Sequence, residues 1–168
     1  MDLDRLLPGV LGAFVGVIGW LFVGIYIQRR QFARQARNAA RAVYFELDVN
    51  RAAVSVAMEF GSFTPLERTS FERLLPELAT LLSPRDLRTV VAAYMAHAGY
   101  QQASADDLPP PVRAQLLESI LAAHEQAAAT LQARAFSPAE ARDLASAEPT
   151  ASRSGSTTSP DRSRRTAS

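Results

Sequence analysis

A chain of 168 residues with a net charge of +1 has room for one membrane span and one modest domain, and its overall charge carries no strong sign. It contains no Cys, which excludes disulfides, thiolate zinc sites and cysteine nucleophiles. All eighteen basic residues are Arg.

The first element is an apolar run. No charge occurs between Leu6 and Ile27, and as a helix that stretch reaches roughly 32 Å, close to the hydrocarbon thickness of a bilayer. Residues 6–27 are therefore expected to form a transmembrane helix. Residues 1–5 hold Asp2 and Asp4 against Arg5, where a signal peptide carries net positive charge, so the run is expected to be an uncleaved anchor. Arg29, Arg30, Arg34, Arg37 and Arg41 follow closely. By the positive-inside rule they place residues 28–147 in the cytoplasm and residues 1–5 outside, and they also suit lipid head groups. The expected location is the inner (cytoplasmic) membrane. Gly9, Gly12, Gly16 and Gly19 fall on one helix face, and Gly12 to Gly16 is a G-x-x-x-G. Small residues let spans approach closely, which points to a homo-oligomer or a partner span.

From Gln28 to about Phe60 there is neither Pro nor Gly, so the helix is expected to continue out of the membrane. Phe32, Ala36, Val43, Leu47, Val54 and Ala57 form an apolar stripe, with the arginines roughly opposite. Glu46 and Asn50 stand four apart, and Asn50 lies in line with the stripe. A polar residue there needs a partner if buried and can fix register.

Gly61 to Glu67 reads as a turn and a helix start: Thr64 as N-cap, Pro65 in the first turn, Glu67 closing a capping box. Pro76 is expected to kink or divide the helix that follows. Ser83-Pro84-Arg85-Asp86 repeats the start signal for a helix to about Ala98, with Tyr94 on its buried face and Gly99 as its stop. Gln101 to Pro111 is a polar connection, and a long helix then runs to about Phe136. Ser137-Pro138-Ala139-Glu140 starts a last short helix. Residues 148–168 are Ser, Thr, Pro and Arg with almost nothing apolar, and disorder is expected there.

His97 and His124 fall on different predicted helices with no metal-ligand spacing, and are expected at the surface. Ser55, Ser70 and Ser119 lack a nucleophile-elbow context. No phosphate-binding loop occurs. No catalytic residue, cofactor or metal is assigned, and no nucleic-acid role is expected. Glu46, Asn50 and Tyr94 remain as a candidate polar centre.

The acid and Asn four apart on a basic juxtamembrane helix, then Phe71-Glu72-Arg73-Leu74-Leu75 and a Pro-started helix around Tyr94, resemble a broad set of small bacterial single-pass membrane proteins with a cytoplasmic helical domain. The resemblance covers about Arg29 to Gln101 and implies architecture and location. The expected fold is all-α: one transmembrane helix continuing into a cytoplasmic helical hairpin or small bundle, with a disordered tail. The expected function is a membrane-anchored interaction or scaffold module that binds lipids and either itself or another membrane or cytoplasmic protein. The alternatives are a membrane-tethered enzyme with its site near Glu46, Asn50 and Tyr94, and an oligomeric membrane-active effector.

Overall fold

The computed structural model describes residues 3–105 and 108–147; of residues 3–15 and of Ile18 only the backbone is described. The described chain is all-helical: α1 (Leu3–Phe60), α2 (Thr69–Leu81), α3 (Pro84–Met95), α4 (His97–Ser104), α5 (Pro110–Ala135) and α6 (Pro138–Ala147). The expected tail, 148–168, lies outside the described residues.

Helix α1 runs unbroken for 58 residues, about 87 Å at the α-helical rise. Ala36 is its first buried residue, and the described side chains before it are all exposed. From there on one face is buried through Ala40, Val43, Leu47, Asn50, Val54 and Ala57, spaced by threes and fours as a helix stripe must be. Phe32, expected on that stripe, is 59% exposed because it stands a turn before the domain begins. α1 ends at Gly61, whose φ of +67° reverses the chain while its N–H donates to the Ala57 carbonyl at 3.0 Å. A left-handed turn of this kind favours glycine.

Long-range contacts set the directions of the other helices. Asn50 meets Glu67 and Glu46 meets Ser70, so α2 runs back along α1. Arg41 meets Ala135, so α5 does the same. Asp86 meets Arg134 and His97 meets His124, so α3 and α4 run against α5. The result is an up-down bundle of four columns, with α3 and α4 sharing one column and α6 folded over the α1–α5 end. One core cluster joins Val43, Leu47, Leu78, Val90, Tyr94 and Leu131, and a second joins Val54, Ala57, Tyr100, Leu117 and Ile120. Each fully buried aliphatic side chain contributes about 1.5–3 kcal/mol.

Several local expectations change. Thr64, Pro65 and Glu67 begin no helix: the chain from Gly61 to Arg68 is irregular and α2 starts at Thr69. Pro76 sits inside α2 without dividing it. Gly99 stops nothing, since α3 ends at Met95 and α4 passes through Gly99. A Cβ there would come within 3.2 Å of Leu116 Cδ1, so the glycine instead allows α4 to approach α5.

Among the described residues no helix is long and apolar enough to cross a membrane. Ten of the 22 side chains of the expected span, those of residues 6–15, and Ile18 besides, lie outside the described residues.

Candidate functional site

Glu46 and Tyr94 meet in the bundle, while Asn50 bonds to the Glu67 backbone, so the i, i+4 pair that the spacing suggests does not form. Asn50 Oδ1 accepts from the Glu67 N–H at 2.8 Å and its Nδ2 donates to the Glu67 carbonyl at 2.8 Å. Both ends of the amide are spent on one backbone residue, as a strand neighbour would spend them. Glu46 accepts from Ser70 N at 2.5 Å, from Phe71 N at 3.1 Å and from the Tyr94 hydroxyl at 2.7 Å. The first-turn N–H groups of α2 find no cap in their own sequence, for Arg68 supplies no side-chain bond. A carboxylate on α1 takes that place, which suits the positive end of the helix dipole.

The Tyr94 ring stacks on Phe71 with centroids 4.0 Å apart. Burial, and then its bond to Glu46, hold the Tyr94 phenol well above its ordinary range. These donors and acceptors are consumed in tying α1, α2 and α3 together. What the sequence marks as a polar centre is, in geometry, a lock.

The histidines are the larger correction. His97 is 4% exposed and His124 fully buried, with their Nε2 atoms 3.1 Å apart. Both lie in line with apolar core positions, His97 three residues after Tyr94 and His124 between Ile120 and Ala127. That register was the available signal. Burial is the main force pushing each pKa down, to about 4; Arg68 adds to it at His97, and His97 then Arg51 at His124. Both rings are neutral at pH 7. One Nε2–H donates to the other ring's bare Nε2, so the tautomers are complementary. Neither Nδ1 has a hydrogen-bond partner among the described residues.

His97 also lines a cavity of about 370 Å³. The α1–α2 connection supplies one wall with Phe63, Pro65, Leu66 and Arg68, and α4 the other with Tyr100 and Gln101. None of Glu46, Asn50 or Tyr94 lines it. Among the described residues no group of three or more His, Asp or Glu side chains is placed to hold a metal ion.

The arginine belt divides. Arg29, Arg30, Arg34 and Arg37 are exposed along α1. Arg41 turns inward: Nε donates to the Ala135 carbonyl at 3.1 Å, Nη2 pairs with Glu140 at 2.7 Å, and the guanidinium lies over the Phe136 ring. It holds α6 against the bundle. Of the glycine face, Gly16 and Gly19 have nothing within 4 Å of where a Cβ would stand, while the surroundings of Gly9 and Gly12 lie outside the described residues.

No family model, no curated protein and no solved structure matches the chain.

Proposed function

We propose that the chain is a single-pass, membrane-anchored binding module, with residues 6–27 in the bilayer, residues 1–5 outside and the helical bundle on the cytoplasmic side. The observation that carries this reading is the free arm of α1. Trp20, Leu21, Phe22, Val23, Ile25 and Ile27 are 43–79% exposed, on a helix whose described side chains before Ala36 are all exposed. Each such side chain gives up about 1.5–3 kcal/mol while it faces water, and soluble proteins rarely leave so contiguous an apolar surface open. Four exposed arginines directly follow, where anionic head groups would attract each by about 1 kcal/mol. The bundle itself offers surface rather than chemistry, because Glu46, Asn50 and Tyr94 are occupied in holding it together.

The test is extraction of native membranes at alkaline pH, followed by protease treatment of sealed inside-out and right-side-out vesicles. Retention in the pellet, with cleavage in the bundle confined to inside-out vesicles, is the expected result. Release into the supernatant removes the anchor.

One observation favours a second reading, a membrane-tethered enzyme: His97, a neutral imidazole whose buried Nδ1 has no partner among the described residues, lines a cavity. A neutral imidazole can accept a proton at pH 7, although a pKa of about 4 makes His97 a weak base. Modification by diethyl pyrocarbonate distinguishes the two. Rapid reaction at His97, ahead of unfolding, supports an accessible base, and protection equal to that of His124 supports a structural pair.

A further inference from the structure

We infer that two copies of this chain pair side by side, in parallel and in register, through the outer face of the cytoplasmic half of α1. This rests on the membrane-anchored reading above, because a shared bilayer sets every copy at the same height and in the same direction.

Asn38, Ala42, Phe45, Val49, Ala52 and Val56 follow one another at steps of four, three, four, three and four. That alternation is the seam of a two-stranded coiled coil. Phe45, Val49 and Val56 are 50%, 60% and 41% exposed, Asn38 and Ala52 are exposed, and Ala42 is half-buried. The seam lies on the far side of α1 from the stripe that packs on the bundle, and of its apolar side chains Phe45 also meets the bundle, edge-on to Phe136 with centroids 6.2 Å apart. Carried back at the same spacing it reaches Gln35, Gln31 and Gln28, all exposed. Between Gln28 and Val56 there are eight charged residues, and none occupies one of these nine positions. A solvent-facing stripe has no reason to avoid charge in so basic a segment, whereas a seam between two helices has.

Three features select a second copy over an unrelated partner. An in-register pair sets like against like, so each apolar layer is matched by its own duplicate, as a two-fold interface requires. Asn38 then meets Asn38, whereas a slipped alignment would set it against an apolar side chain, so this polar layer favours the in-register pair. Beside Phe45 and Val49 an open groove of about 370 Å³, floored by Ala42 and Glu46 and walled by the start of α2, leaves room for side chains from a neighbouring helix.

The chain's lack of Cys gives a clean background for the test. Single cysteines are placed from position 42 to 56 in the full-length protein, and native membranes are mildly oxidised. Same-residue crosslinks at Ala42→Cys, Val49→Cys, Ala52→Cys and Val56→Cys are expected to exceed those at Asp48→Cys, Arg51→Cys and Ser55→Cys several-fold, with a product of twice the chain mass. Adding Val49→Glu to Ala52→Cys is expected to cut the crosslink at least tenfold with the helical circular dichroism unchanged.

A flat profile, or a crosslink insensitive to Val49→Glu, overturns the pairing. So does a product whose mass is not twice that of the chain, which would place a different protein on the seam. Seam crosslinks in chain recovered from the soluble fraction would support the pairing and overturn the anchor, so the two readings fail separately.

Discussion

Glu46 serves three donors at once, two backbone N–H groups of α2 and the Tyr94 hydroxyl. Hydrogen bonds to a charged acceptor are worth about 1.5–3 kcal/mol each, and a buried donor left unpaired costs a similar amount. Glu46→Gln turns one acceptor into a donor facing donors, so a loss of about 2–3 kcal/mol is expected by urea unfolding of the full chain in mild detergent. Tyr94→Phe leaves Glu46 with both backbone donors and should cost only about 1 kcal/mol. Equal losses would mean that the capping role has been misassigned. The histidine pair makes the pH dependence. Its folded pKa values, about 4, lie below the ordinary 6.5, so the unfolded chain takes up protons first as pH falls. The stability this pair contributes is complete above pH 6.5 and is lost on the way down to about 4, on the order of a few kcal/mol in all. Glu46 and Arg51 from α1, Arg68 from the α1–α2 connection and Tyr94 from α3 surround the pair, and only Glu46 favours its protonation. Asp86 and Glu140 have pKa values held down, chiefly by Ser83 and by the Ser137 N–H, so their contribution fails only below the usual carboxylate range. His124→Gln should flatten the upper arm, between pH 6.5 and 4.5, and leave the lower arm in place; an unchanged upper arm would clear the pair of this role.

The helices that start on their own signals were the ones legible in the sequence. Ser83 accepts from Asp86 N at 3.2 Å, and Ser137 and Glu140 exchange both bonds of a capping box, at 3.3 and 2.7 Å. Thr64, Pro65 and Glu67 carry an equally good local signal and form no helix, because Asn50 grips the Glu67 backbone in an extended form and Glu46 caps four residues later. A tertiary bond worth a charged acceptor outweighs a cap worth about 1 kcal/mol. Glu46, Asn50 and Tyr94 were readable as polar groups in apolar register, but whom they would bind was not, since their partners are backbone atoms 17 to 25 residues away and a hydroxyl 48 away. The histidines were lost for the opposite reason: local polarity pointed outward, and only the register of their neighbours pointed in. Gly99 gives a direct test at this scale. A methyl group there meets Leu116 Cδ1 at 3.2 Å, the tip of a flexible, half-buried side chain. Helix propensity gains about 1 kcal/mol from Gly to Ala, and Leu116 needs to yield only a few tenths of an ångström. Gly99→Ala should therefore raise stability slightly, while Gly99→Leu overfills the α4–α5 contact and should lose about 1–3 kcal/mol. A destabilising Gly99→Ala would show that Leu116 is fixed.

At the scale of the whole molecule α1 is a rod shared by two environments. Its Gly9, Gly12, Gly16 and Gly19 face and the Phe45, Val49 and Val56 face lie on one unbroken helix, so the angle between them is set by residue count and nothing else. If the span and the cytoplasmic seam serve the same pair of chains, that angle matters. Inserting two alanines between Ile27 and Gln28 leaves both faces intact and turns one about 200° against the other. Seven alanines return it to within about 20° while moving the bundle about 10 Å farther from the bilayer. Crosslinking at Val49→Cys in native membranes is expected to fall several-fold with the two-residue insertion and to recover with the seven-residue one. Gly12→Leu with Gly16→Leu should weaken the same crosslink without any insertion, through close packing of the spans. A crosslink indifferent to insertion length but lost with Val49→Glu would confine the pairing to the cytoplasm and leave the glycine face to lipid or to another span. The two-residue insertion thus separates a molecule that pairs along its full length from one that is anchored by one half of α1 and pairs by the other.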